Sequence, residues 1–171
     1  MKQMNDEITI TLSAHSIDSA IKYLEKYKAR LEKRLYELID RMCADGEAWA
    51  IMYLDHVDTG ETQSSIMGYR EGNIGIVEAG GAAVWIEFGT GVTYNEGGDE
   101  VHENRAELGI SDWGTYGEGH GADPDGWYYY DKKDGGRRKH TYGIPMDPFM
   151  QIAANHLRDT FRTKAKEVFS K

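Results

Sequence analysis

The sequence predicts an α+β fold, with a long N-terminal helix and a C-terminal helix packed on a small, mainly antiparallel sheet. A long Gly-rich loop and an inserted β-hairpin complete it. Three observations carry this expectation. Ile17, Ile21, Leu24, Leu31, Leu35, Leu38 and Met42 recur at helical spacing, drawing one apolar stripe along a long helix. In Ala83–Gly91, Val84, Ile86 and Phe88 alternate with Trp85 and Glu87 until Gly-Thr-Gly ends the run, the pattern of a central strand with Glu87 on its non-core face. Finally, Trp127–Lys132 and Arg137–Tyr142 flank Asp134-Gly135-Gly136, a strong hairpin signal.

Taken in order, Glu7–Leu12 alternates Ile8, Ile10 and Leu12 with threonines, which predicts a short first strand. Ser16 stands where an N-cap belongs, with Asp18 in the first turn. The helix is expected to break or kink near Asp45–Gly46 and to resume through Ala48, Trp49, Met52 and Tyr53. Asp58-Thr59-Gly60 reads as its stop. Ser64–Arg70 and Asn73–Ala79 then form a hairpin leading into the central strand. Sheet and helix each have one apolar side, so each must cover the other.

From residue 92 to 126 the periodicity dissolves into Gly, Asp, Glu and Asn, with only Val101–Leu108 suggesting a helical turn. A connection of that length is usually functional or disordered. Beyond the hairpin at 127–142, Pro145 and Pro148 bracket an extended entry to the last helix. Phe149, Ile152, Ala153, His156, Leu157, Thr160 and Phe161 form that helix's stripe, running to about Phe169. Lys164, Lys166 and Lys171 suit its negative C-terminal end.

At 171 residues the chain is expected to form one domain, 1–171, with a single core. Cys43 is its one cysteine, so no internal disulfide is possible, which fits intracellular synthesis. No apolar run approaches membrane-span length and no signal-peptide pattern opens the chain, so a soluble protein is expected. The net charge of −9 is unevenly spread. Residues 43–126 hold 17 acidic residues against Arg70 and Arg105, a balance of −15, whereas residues 127–142 carry five basic and two acidic residues. Gripping nucleic acid requires clustered Lys and Arg, so the acidic middle argues against that role. It suits either a solvated surface or one that passes polyanions without holding them.

Catalytic patterns fail one by one. Gly89-Thr90-Gly91 lacks the further glycines or lysine of a phosphate loop. His102-Glu103 begins a zinc-type HExxH, but Ala106 stands where the second histidine belongs. Asp123-Pro124-Asp125-Gly126 is a fragment of a calcium loop without its other ligands. Ser64 and Ser65 have no nucleophile-elbow glycines. No catalytic residue, metal site or cofactor is expected.

Several segments, in order, resemble the tail-completion (minor tail-component) family of long-tailed bacteriophages. They are Asp58-Thr59-Gly60 with Ser65-Ile66, Trp85-Ile86 followed by Glu87-Phe88-Gly89-Thr90-Gly91, Gly126-Trp127-x-Tyr129 with Asp134-Gly135, and Gly143-Ile144-Pro145-x-x-Pro148-Phe149-Met150 before a helix containing Ala153. Val57 and Thr62 depart from the pattern, standing where proline and a large apolar residue are usual. The resemblance implies a virion structural protein of the neck, which completes the tail end and joins it to the head as part of an oligomeric ring around the DNA channel. Its implied partners are other copies of itself and neighbouring neck and tail-tube proteins, with DNA passing nearby without specific binding and no membrane. Its place would be the virion, and the host cytoplasm during assembly. Trp85, Glu87, Phe88, Gly89, Thr90, Gly91, Trp127 and Tyr129 are the implied subunit-interface residues. Rival readings are a tail terminator capping the tube, a metal-dependent hydrolase using His102, Glu103, His120 and the loop aspartates, and a regulatory binding module of a prophage.

Overall fold

The computed structural model describes residues 13–55, 60–91, 123 and 125–170. It is an α+β structure with α1 (Ala14–Tyr53), α2 (Glu61–Ser65), β1 (Met67–Glu71), β2 (Ile74–Glu78), α3 (Ala83–Phe88), β3 (Thr90–Gly91), β4 (Trp127–Asp131), β5 (Arg137–Thr141), β6 (Gly143–Ile144) and α4 (Phe149–Phe169). The expected long N-terminal and C-terminal helices are present and pack on each other. The strands form three separate antiparallel pairs, β1–β2, β3–β6 and β4–β5, where one small sheet was expected. The expected strand at Glu7–Leu12 and the helical turn at Val101–Leu108 lie outside the described residues.

Helix α1 starts earlier than expected. Ser13 is its N-cap and its hydroxyl accepts from the Ser16 amide, so Asp18 falls beyond the first turn. The helix also runs unbroken through Asp45–Gly46. Gly46 is a packing site, because a Cβ there would stand 2.9 Å from both Leu157 and Val77. The apolar stripe is buried at Leu38, while Ile17, Ile21 and Leu24 remain 43–52% exposed.

The β1–β2 hairpin lies on the helix face spaced by Tyr36, Asp40, Cys43 and Glu47. Arg70 Nε donates to Asp40 at 2.8 Å, with its guanidinium 4.3 Å from the centre of the Tyr36 ring. The Cys43 thiol donates to the Tyr69 carbonyl, and Glu47 accepts from the Gly68 amide at 2.8 Å. Contact is so close that a Cβ on Gly68 would strike the Cys43 carbonyl oxygen. The residues before this hairpin form α2 rather than the start of a strand, because Ser64 and Ser65 hydroxyls bond back to the Glu61 and Thr62 carbonyls.

The expected central strand at Ala83–Gly91 is instead α3, followed by two residues of strand. Burial follows helical spacing, with Ala83, Ile86 and Glu87 inside, whereas Val84, which an alternating strand would bury, is 44% exposed. A six-residue apolar run satisfies either period. Here no strand lies beside it among the described residues, so its amides bond to Gly80 and Ala82 carbonyls and to its own turn.

The core gathers Ala50, Leu54, Ile66, Ala83, Ile86, Phe149 and Ala153 from α1, α3, α4 and the segments that adjoin them. Substituting Gly68→Ala forces the hairpin off the α1 backbone. The expected loss is about 2–4 kcal/mol in urea unfolding, with helical content retained.

Candidate functional site: a carboxylate joint and its exposed flanks

The N-cap of helix α4 is Pro148, a residue with no side-chain oxygen to serve the first amides. The first amides of a helix have no partner of their own. Glu87 supplies it from another helix: its Oε2 accepts from Met150 N at 2.8 Å and its Oε1 from Gln151 N at 2.9 Å. The side chain is 5% exposed, so the expectation of Glu87 on a non-core face is overturned. Two residues before α4, Asp147 extends the joint. Its amide donates to the Ile86 carbonyl and its Oδ2 accepts from the Asp55 amide just past α1. Two buried carboxylates thereby tie the end of α1 and the turns of α3 to the start of α4.

Burial raises the Glu87 carboxyl from 4.5 to about 7; the Met150 and Gln151 amides oppose the rise and the nearby Asp147 charge adds to it. Desolvation wins because two amide dipoles replace only part of the lost hydration.

Thr90 and Gly91 continue the joint. They pair with Ile144 and Gly143, and the Thr90 hydroxyl accepts from the Ile144 amide at 3.1 Å. Gly91 and Gly143 both have positive φ, and a Cβ on either would meet backbone of the opposite strand. The structure thus brings the Glu87–Gly91 and Gly143–Met150 segments into direct contact, with Ala153 and Ile66 in the same core.

The predicted interface residues divide accordingly. Glu87, Phe88, Gly89, Thr90 and Gly91 are buried and hold the domain together. Trp127 is half-buried beside Gly91. Trp85 and Tyr129 are exposed, at 40% and 42%. Sequence reasoning missed Asp147, whose position just before Pro148 is the kind of signal that marks a helix start.

A second polar cluster joins α1 to α4. Asp45 Oδ2 lies 2.8 Å from His156 Nε2 and 3.0 Å from Lys164 Nζ, and the His156 ring stacks on Trp49 at 3.6 Å. Burial pushes the Asp45 carboxyl up, but Lys164 and His156 outweigh it and hold it below the usual carboxylate range. This cluster pins two helices. Among the described residues no group of three His, Cys, Asp or Glu side chains is placed to hold a metal ion, and no helix is long and apolar enough to cross a membrane. His102, Glu103 and His120 lie outside the described residues.

No family model, curated protein or solved structure matches the chain.

Removing the Glu87 carboxylate with Glu87→Ala strands two buried amides, with an expected cost of about 2–4 kcal/mol. The pH dependence has a defined sign. Between about pH 4.5 and 7 the folded state keeps a proton on Glu87 that the unfolded chain has released, so stability falls as pH rises through that window. The full change is roughly 3 kcal/mol. Urea unfolding across this range is expected to show that fall in the native protein, and Glu87→Gln to flatten it.

Proposed function

We propose that this protein is a virion structural subunit of the head–tail joint of a long-tailed bacteriophage, completing the tail end within an oligomeric ring. The observation that carries the reading is where its large apolar side chains lie. Ile17, Ile21 and Leu24 stay exposed along α1, as do Met67 and Ile74 on one hairpin and Tyr128, Tyr130 and Tyr142 on or beside another. Exposed apolar side chains grouped on one helix face and on each of two hairpins suit a subunit that finishes its burial against neighbours.

The resemblance supplies the particular assembly. Its Glu87–Gly91 and Gly143–Met150 segments form one interlocked joint, which gives those residues a structural purpose without catalysis. The implied interface at Trp85 and Tyr129 fits this reading, since both are exposed. The acidic middle of the chain suits a lining past which DNA moves, because passage requires weak phosphate contact. No cofactor enters this role.

Electron microscopy of particles assembled without the protein tests it. Filled heads and separate tails are the expected products, and unfinished tail ends among them would favour completion over the tail-terminator alternative. Complete, infectious virions would refute the reading.

A further inference from the structure

Two hairpins present unlike faces. In β4–β5 the register pairs Tyr128 with His140 and Tyr130 with Arg138, so these four share one face, with Tyr142 adjoining them beyond the strand. The rings of Tyr128 and Tyr142 meet His140 edge-on at 4.8 Å, and the Arg138 guanidinium lies 3.9 Å from the Tyr128 ring centre. The strands' carboxylate, Asp131, falls on the opposite face and is bound there by Lys139 at 2.6 Å. This aromatic, cationic face is well exposed: Tyr128 58%, Tyr130 72% and Tyr142 52%. The hairpin's extensive packing is with itself, and a lone two-stranded hairpin is marginal in water.

The outer face of β1–β2 has the opposite character. Gly68 and Gly75 turn toward α1, so Met67, Tyr69, Glu71, Ile74, Ile76 and Glu78 share the other side. Met67 and Ile74 are 51% and 65% exposed, and Glu71 and Glu78 flank them with no basic residue on that face. Burial first, and then the neighbouring Glu78 and Glu71 charges, raise the Tyr69 hydroxyl.

We infer that the β4–β5 face of one copy docks on the β1–β2 face of the next, Arg138 against Glu71 and Glu78 and the tyrosines against Met67 and Ile74. The inference rests on the ring reading and names the contact that builds it. Matching an apolar patch edged by carboxylates to an aromatic patch edged by a guanidinium satisfies both charge and burial. A second copy is favoured over nucleic acid because the chain carries −9 overall, which repels a polyanion. Because the two faces differ, the contact is head-to-tail, the kind that closes rings or extends filaments. Each face is small, so the contact is weak singly and depends on salt.

Sedimentation velocity of the full chain tests it, at protein concentrations up to about 1 mM in about 50 and about 500 mM salt. The native protein is expected to associate at low salt and to dissociate at high salt. Arg138→Glu alone, and Glu71→Lys with Glu78→Lys, are each expected to weaken self-association at least about 10-fold. Mixed together, these two variants are complementary at both contacts, native Arg138 against native Glu71 and Glu78 and the two reversed faces against each other, so the mixture is expected to recover the association that each variant alone has lost. Tyr130→Ser should weaken association without changing charge, and unchanged circular dichroism will show that each variant folds.

A native protein monomeric throughout would overturn the contact, as would variants that associate like the native chain. Equally, a single-stranded DNA probe bound through Arg138 would overturn it in favour of a nucleic-acid platform. The particle experiment fails or succeeds separately: separated heads and tails with fully associating variants would leave the neck reading standing and this contact refuted.

Discussion

The structure depends on a carboxylate placed where a helix needs one. Helix α4 starts on a proline, and its second and third amides would be buried without acceptors if Glu87 did not reach them. That single bidentate cap fixes how α4 enters the core and thus where Phe149 and Ala153 pack. It also explains why Ala83–Phe88 is helical. A strand would send Trp85 and Glu87 to one side, whereas a helical turn leaves Trp85 in solvent and swings Glu87 inward. The charge sits against the positive end of the α4 dipole, the favourable place for it, yet its burial beside Asp147 still raises its proton affinity. The joint is therefore held by hydrogen bonds while carrying an electrostatic cost, a combination that specifies geometry more than it adds stability.

From that joint outward the molecule divides into parts held tightly and parts held by little. The β1–β2 hairpin is fastened to α1 by Arg70, Cys43 and Glu47 and by glycines that bring backbone against backbone. The Asp45, His156 and Lys164 cluster fixes α4 along the same helix. By contrast, the first turns of α1 and the outer faces of both hairpins keep large apolar groups in water. A monomer that had to stand alone would gain by exchanging those residues for polar ones. Among the described residues, the buried carboxylates Glu87 and Asp147 serve as caps for amides of neighbouring elements.

Much of this architecture was legible in the chain. The two long helices and both hairpins announce themselves by apolar period and by glycine turns, as at Asp134-Gly135-Gly136, where Gly135 and Gly136 do take positive φ. What was not legible is what short segments do. Val84–Phe88 fits a strand and a helix equally, and the deciding influence is a pair of amides some sixty residues away. Gly46 looked like a break and is a close-packing site, because only its neighbours Leu157 and Val77, remote in sequence, reveal its purpose. Ser13 caps the helix in place of Ser16, so the helix starts three residues earlier than the apolar stripe suggests. Among the proposed interface residues, sequence patterning could not separate Glu87, which binds inward, from Trp85, which faces out.

Whether unlike faces on one chain make a closed ring or an open filament depends on the angle between them. In this chain that angle passes through few elements. The β1–β2 face is rigidly referred to α1, and α1 to α4 through the carboxylate joint. The β4–β5 face is referred to the same joint by the two-residue β3–β6 pair, where Gly91 and Gly143 leave no room for a Cβ. At both positions a positive φ and crowded backbone call for glycine, so a side chain at either would disturb the base of the hairpin. A subunit built this way carries its assembly angle in its core. The buried parts of the segments that resemble a tail-completion protein would then be constrained for a reason apart from contact across the ring: they hold the two proposed docking faces in a defined relation.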